Sequence, residues 1–217
     1  MADVQPLSNV QIAPTKGSLT WNSEGTEGGY YHSRRLHVPS SASGLTIGRG
    51  YDMKEKTKTK IMADLKRAGV STENATLIAG AAGKSGAQAE KFITDNKLEK
   101  FEISQQGQKV LFDISYAETE AVVMRICSKA DTVATYGAVN WGKLHGAIKE
   151  MLVDLKFRGD YDPRSRKFLQ KHVAANDLAA FGAEIVKRMN WLGVPQDRFQ
   201  RRKTFMEKAM KAAKVAA

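Results

Sequence analysis

Three side chains in the first quarter of the chain have the residue types and spacing that acid–base chemistry requires. Glu24 stands before Gly25, where a short helix containing Leu19 is expected to end, because glycine suits the left-handed position after a helix. A carboxyl group on the last helical turn lies at the negative end of the helix dipole, which favours the protonated form that a general acid needs. Asp52 and Thr46 add a carboxylate base and a hydroxyl that can orient water. The set predicts hydrolysis in which one group donates a proton and another activates water.

The glycine-rich stretch from Gly44 to Asp52 is expected to form the floor of such a site. Strand alternation assigns to one face Thr46, Gly48, Gly50 and Asp52, and to the other Ile47, Arg49 and Tyr51. The glycines leave a surface that a flat sugar ring or an ordered water could approach, so the set suits inverting hydrolysis of a glycosidic bond. Glycine-rich turns with nearby carboxylates are also common elsewhere, so spacing alone leaves the chemistry open. A phosphate-binding loop fits less well, because Met53 occupies the place of the third glycine and no Gly-Lys-Ser/Thr follows.

The elements that must position these residues follow from composition and periodicity. Residues 1–16 are expected to form a tail, whereas residues 17–53 hold seven of the 18 glycines and two strand-like pieces, 35–38 and 45–51. Beyond them, apolar spacing and capping residues predict helices over about 55–68, from Ser71, from Ser85, from Ser104, over 118–128, over 141–157, from Pro163, over 178–192 and over 198–213. The sequence therefore predicts a mainly helical α+β fold, with a small β-containing lobe at 17–53 and a larger helical lobe at 54–217.

The segment Ser23-Glu24-Gly25, followed by Ser43 to Asp52, resembles the active-site region of phage-type lysozymes. In the commonest form of that family the catalytic Asp lies between the Glu-Gly pair and a Thr-Ile-Gly-x-Gly strand, but residues 28–50 contain no Asp or Glu here. The closer resemblance is to the pesticin-like branch, in which the Asp follows the strand, as Asp52 follows Thr46. Weaker similarity continues through residues 103–113, 155–159 and 193–202.

This resemblance implies a single lysozyme-like catalytic domain over residues 17–217 and a muramidase activity on peptidoglycan. It implies Glu24 as the acid, with Asp52 and Thr46 holding and activating water, and no cofactor or metal. Glu27, which precedes Gly28, is the rival acid, and Glu24 is favoured because it follows the apolar pair Leu19 and Trp21.

Several residues around this segment are candidates for binding the sugar: Tyr30, Tyr31, His32, Gly48 and Gly50. The two tyrosines and His32 fit a sugar cleft and ordinary packing at a lobe junction equally well. His32 and His37 have no third ligand nearby, so we expect no metal site. Cys127 lies in an apolar run and is expected to be buried, and Trp141 and Trp191 are expected to be core residues.

The chain carries a formal net charge of +11, which attracts polyanions such as the anionic polymers of bacterial envelopes. The segment from Lys187 to Lys214 contains nine basic and two acidic residues, which gives it a local net charge of +7. This run is interpreted either as a solvated helix face or as a surface that directs the protein to an anionic envelope. Interleaved aromatic residues are not apparent, so we expect no dedicated nucleic-acid binding, and we expect a monomer.

Neither a signal sequence nor an apolar stretch long enough to span a membrane is apparent in the sequence. The protein is therefore expected to be made in the cytoplasm and to reach the cell wall or periplasm by release or delivery. Two other functions stay open: a lytic transglycosylase acting on the same polymer without a base, and a non-enzymatic polycation that disrupts envelopes.

Overall fold

The computed structural model describes residues 12–28 and 32–216, and within them the chain is mainly helical with one small sheet, as predicted. The α-helices are α1 Ser18–Trp21, α2 Lys58–Arg67, α3 Thr72–Ala79, α4 Gly86–Asp95, α5 Gln105–Ser128, α6 Ala130–Tyr136, α7 Gly146–Arg158, α8 Pro163–Ala174, α9 Leu178–Val186 and α10 Gln196–Ala216. The sheet pairs β1 Thr46–Ile47 with β2 Tyr51–Asp52, and a 3₁₀ turn covers Arg188–Trp191.

The chain divides into two compact units, Met1–Ser115 and Tyr116–Ala217. The boundary lies within α5, whereas the sequence placed the lobe boundary near residue 53. In the first unit, apolar side chains of the hairpin join those of α2, α3 and α5 in one core, which includes Leu45, Ile47, Tyr51, Met53, Ile61, Leu65, Ile78 and Leu111. The inward side chains of the hairpin are thus fixed by burial.

The β1–β2 hairpin differs from the single long strand that alternation predicted. Gly48 and Gly50 have φ of 66° and 84°, so the chain reverses direction across residues 48–50, and Thr46 pairs with Asp52 in antiparallel register. The predicted strand at 35–38 contributes an isolated bridge between His37 and Thr46. The expected sheet is therefore present, but the four residues assigned to one face do not follow one another along a single strand.

Local capping explains why several helices start where the sequence predicted. The Ser71 hydroxyl accepts a hydrogen bond from the Asn74 N–H at the start of α3. Asp162 and Ser165 form a reciprocal capping box in front of α8, whose first residue is Pro163. The structure confirms both starts, and they were predictable because each cap joins residues only three positions apart.

Other helix boundaries were predicted wrongly. The two helices expected from Ser104 and over 118–128 are one continuous helix, α5, and α6 was not predicted. The central helix α7 starts only at Gly146, so Trp141 lies in a turn and is half-buried rather than part of an apolar helix face. The helix expected over 178–192 ends at Val186, yet Trp191 in the following 3₁₀ turn is buried as expected.

In the second unit, helix α7 buries Ile148 and the whole segment 151–155, and Cys127 is buried as predicted. Its Asp154 carboxylate, which has no exposed surface, accepts hydrogen bonds from Arg198 at 2.8 Å and Arg202 at 2.6 Å, both on α10. Arg202 also reaches Asp160 at 2.7 Å. Buried charges therefore join α7 to α10. Within the described residues, none of the helices is long and apolar enough to cross a membrane.

Candidate functional site

Thr46 and Asp52 are brought together across the hairpin, and both side chains bond to the backbone of Gly44. The Thr46 hydroxyl donates to the Gly44 carbonyl at 3.1 Å, and the Gly44 N–H donates to Asp52 Oδ2 at 3.0 Å. The Lys54 N–H donates to Asp52 Oδ1 at 2.8 Å. The carboxylate is therefore held in a fixed orientation, and each of its oxygens keeps the capacity to accept a further hydrogen bond.

Gly44 has a packing role that was not predicted from the sequence. A Cβ at this position would overlap the Asp52 carboxylate and would lie only 2.7 Å from the backbone nitrogen of Lys54. Glycine is needed here because two chain segments approach each other closely. Its backbone angles do not require glycine. The feature of the sequence that could have indicated this role is a glycine only two residues before Thr46.

Glu24 was predicted to lie on the last turn of a helix, and this prediction is wrong. Helix α1 ends at Trp21 with Asn22 as its C-cap, and Glu24 is a half-buried residue in the bend that follows. A four-residue helix that ends three residues earlier provides little dipole at Glu24.

Gly25 also differs from its prediction, because its φ is not positive and it is not a left-handed helix cap. A Cβ on Gly25 would lie 2.9 Å from the Cβ of Ser33 and 3.0 Å from the Cγ of Arg49. The glycine next to Glu24 is therefore explained by crowding against the hairpin.

Arg49 connects the hairpin to the Glu24 loop, a role that was not predicted: alternation placed it only on the strand face opposite Thr46 and Asp52. It lies at the hairpin turn, and only 8% of its surface is exposed. One terminal nitrogen donates to the carbonyl of Trp21 at 2.5 Å and to that of Gly25 at 2.8 Å. Its guanidinium carbon lies 4.4 Å from the centroid of the Trp21 ring. Burial lowers the pKa of Arg49, and the nearby Glu27 carboxylate opposes that shift.

Glu27, the rival acid, belongs to a network of charged and amide groups. Gln108 donates to its Oε1 at 2.5 Å, and Arg34 donates to its Oε2 at 2.9 Å. The Arg49 guanidinium lies 3.9 Å from Oε1. Both oxygens of Glu27 therefore accept hydrogen bonds within the protein, and the carboxylate ties the loop to α5 through Gln108.

His32 is buried in the same network. Its Nδ1 accepts a hydrogen bond from the Gly28 N–H at 2.7 Å, and its Nε2 lies 3.1 Å from Glu102 Oε1. Arg34 contacts the same Glu102 oxygen at 2.6 Å. The hydrogen bond from His32, helped by the charge of Arg34, lowers the pKa of Glu102. These contacts favour the packing interpretation of His32.

The remaining predicted binding residues divide into two groups. Tyr30 and Tyr31 lie outside the described residues. Gly48 and Gly50 are turn residues with positive φ, and the Gly48 N–H donates to the Ser33 carbonyl at 2.7 Å. The positive φ of the turn therefore explains why both positions are glycine, without any contact to a sugar ring. Over residues 12–28 and 32–216, no three His, Cys, Asp or Glu side chains are grouped so as to hold a metal ion.

The basic run from Lys187 to Lys214 is not one solvated face. Arg198 and Arg202 point into the second unit and bond to Asp154. The residues of the run that are exposed are Lys187, Arg201, Lys208, Lys211 and Lys214. The run therefore combines a buried ion network with a lysine-rich outer surface toward the end of α10.

A family model described as "Domain of unknown function (DUF8812)" matches residues 17–203, which is most of the chain and includes Glu24, Thr46 and Asp52. No curated protein matches the chain.

Proposed function

We propose that this chain, which belongs to the DUF8812 family, is a muramidase with a lysozyme-like fold, hydrolysing the bond between N-acetylmuramic acid and N-acetylglucosamine in peptidoglycan. The observation that carries the proposal is the cross-strand pair of Thr46 and Asp52, which places a hydroxyl beside an oriented carboxylate. The resemblance of the same residues to pesticin-like lysozymes supports this chemistry. The fold assignment rests on that resemblance and on the mainly helical architecture with a small sheet.

In the proposed reaction, Glu24 protonates the leaving glycosidic oxygen while Asp52 takes a proton from the attacking water. The buried Thr46 hydroxyl donates its own proton to the Gly44 carbonyl, and in this proposal the same oxygen accepts a hydrogen bond from that water. Two oriented groups would then hold the water, and no metal takes part.

Glu24 is preferred over Glu27 within this proposal because the resemblance to pesticin-like lysozymes assigns the acid to Glu24. Arg34 and Gln108 each donate a hydrogen bond to one oxygen of Glu27, which gives that carboxylate a part in a charged network. The two carboxyl groups are therefore compared directly by substitution.

The proposal is tested with purified peptidoglycan and four full-length variants. Glu24→Gln and Asp52→Asn should each lose at least about 100-fold in the rate of reducing-end release, the range expected for loss of an acid or base. Glu27→Gln should retain most of the rate, and the exposed Glu90→Gln on α4 serves as the matched control. Loss of activity in Glu27→Gln with retention in Glu24→Gln would move the acid to Glu27.

The hydroxyl is tested separately with Thr46→Val and Thr46→Ser. Valine keeps the shape but removes the hydroxyl, so hydrolysis should fall strongly, whereas serine should keep it. Mass spectrometry of the products should show reducing ends. Anhydro ends would instead identify a lytic transglycosylase, and undiminished clearing of cells by Glu24→Gln combined with Asp52→Asn would identify a non-enzymatic polycation.

A further inference from the structure

One side chain of the hairpin holds the backbone on both sides of Glu24. Arg49 donates from a single nitrogen to the carbonyl of Trp21, the last residue of α1, and to that of Gly25, the residue after Glu24. The segment from 21 to 25 is thus closed into a short loop with the guanidinium at its base. The same turn connects the strands that carry Thr46 and Asp52.

We propose that Arg49 is a positioning residue, which fixes the Glu24 loop relative to the hairpin bearing Thr46 and Asp52. This inference rests on the proposed function, because it assigns Glu24 and Asp52 to the same reaction. Arg49 itself does not touch the substrate in this proposal. Its part is to keep the proton donor and the base at a constant separation.

The surroundings of Arg49 make the connection rigid. Trp21, which lies under the guanidinium, packs edge-on against Phe112 of α5 with ring centroids 5.0 Å apart. On the other side, Gly25 fits so closely against the Cγ of Arg49 that a side chain there would collide with it. The guanidinium is therefore held between an anchored ring and two carbonyl groups, and motion of the loop requires these contacts to break together.

A planar guanidinium suits this position better than an ammonium group. It can lie flat on an indole ring and donate in its own plane at the same time, whereas a lysine ammonium is a compact charge without a fixed plane. Arg49→Lys therefore keeps the positive charge near Glu27 and loses the stacked geometry. Arg49→Met keeps much of the length and loses both hydrogen bonds. The exposed Arg67→Met at the end of α2 is the matched control.

The first measurement is steady-state hydrolysis of soluble peptidoglycan oligomers. Because a displacement of about 1 Å in a catalytic group can cost about 100-fold in rate, we expect kcat of Arg49→Met to fall by roughly 10- to 100-fold. KM should change less than about twofold, because the substrate does not contact Arg49. Arg49→Lys should lie between Arg49→Met and the wild type, and Arg67→Met should equal the wild type. A rise in KM with unchanged kcat would overturn the inference in favour of substrate binding by Arg49.

The second measurement does not depend on enzymatic activity. The amides of Trp21, Asn22 and Ser23 donate to backbone carbonyls of α1 and the residue before it, at 2.8 to 3.0 Å. Hydrogen–deuterium exchange of a peptide covering residues 17–25 should be faster in both Arg49 variants, while exchange in α8 is unchanged. Unaltered exchange at residues 17–25 would overturn the positioning role. If the wild type hydrolyses no peptidoglycan but exchange responds as expected, the proposed function fails and the structural connection stands.

A third comparison separates Arg49 from the rest of its network. Since Arg49 also lies near Glu27, Glu27→Gln is assayed beside the Arg49 variants. A loss of kcat in Glu27→Gln equal to that in Arg49→Met would show that the effect passes through Glu27, and would overturn the assignment to the Glu24 loop. Recovery of full kcat by Arg49→Met at low temperature would show that the substitution only unfolds the protein at the assay temperature, and would also overturn it.

Discussion

Thr46 lies opposite Asp52 in the β1–β2 hairpin, and the backbone of Gly44 accepts a hydrogen bond from one side chain and donates one to the other. The orientation of both groups therefore depends on how closely residue 44 approaches the second strand. A single small residue thus controls the geometry of the proposed water-binding pair.

The first prediction concerns this close approach. Gly44→Ala should displace the Asp52 carboxylate, since the added methyl group would overlap it. We expect a loss of about 1–3 kcal/mol in the free energy of unfolding, the cost of overpacking a tight site, together with a clear fall in hydrolysis rate. Urea unfolding and reducing-end assays measure the two effects. Gly146→Ala, where a Cβ meets nothing within 4 Å, is the control and should lower neither quantity.

The sequence predicted those parts of the fold that depend on neighbouring residues. The caps at Ser71 and Asp162 act over three positions, so their helices started as expected. Thr46 and Asp52, which the sequence also brought together, are register partners in the hairpin, since they lie on one short segment. The predicted arrangement, one continuous strand with both residues on the same face, was wrong. Strand alternation cannot show that Gly48 and Gly50 reverse the direction of the chain.

Contacts between distant segments were not predictable in the same way. Nothing in the local pattern around Arg49 indicates that its guanidinium binds the carbonyls of residues 21 and 25. Likewise, Arg198 and Arg202 looked like part of a solvated basic face, because their partner Asp154 lies more than 40 residues earlier in the chain. Both cases are polar side chains whose burial is decided by tertiary partners.

The second prediction is a pH dependence that comes from Glu102. Its pKa lies below the ordinary 4.5 because His32 and Arg34 stabilise the carboxylate. A lowered pKa contributes stability that is present above the unfolded value and is lost as pH falls through the folded value. Glu102→Gln should therefore reduce the free energy of unfolding at pH 7 by up to about 1 kcal/mol, as for partly exposed ion pairs, and should reduce the difference between pH 7 and pH 3.

Urea unfolding of wild type and Glu102→Gln at pH 7 and pH 3 measures this difference. The exposed Glu99→Gln is the matched control and should follow the wild type at both pH values. An equal loss of stability on acidification in wild type and Glu102→Gln would contradict the assignment.

The third prediction tests the buried ion network of the second unit. Asp154→Asn removes the charge that two buried arginines share, which leaves cations without full compensation. Breaking such a network by removing one partner typically costs about 3–5 kcal/mol. Urea unfolding should show that loss, whereas Glu207→Gln, at the exposed i,i+4 pair with Lys203, should cost about 0.5 kcal/mol or less. A small effect of Asp154→Asn would mean that the arginines are readily hydrated.

The fourth prediction concerns the lysines that remain exposed near the end of α10. Lys208, Lys211 and Lys214 are exposed, whereas Arg198 and Arg202 are buried, and we propose that these three lysines attract an anionic envelope. Replacing the three lysines by glutamine should lower the lysis of whole cells severalfold at low salt and leave the hydrolysis of soluble peptidoglycan fragments unchanged.

The dependence of whole-cell lysis on salt supplies a control for this prediction. Charge attraction at an exposed surface is screened over about 8–10 Å at ordinary ionic strength, so added salt should bring wild-type lysis of whole cells down toward that of the lysine variant. Replacing the exposed Lys100, Lys129 and Lys171 by glutamine removes the same number of charges elsewhere. An equal loss with that triple variant would show that net charge, rather than the surface of α10, brings the protein to the envelope.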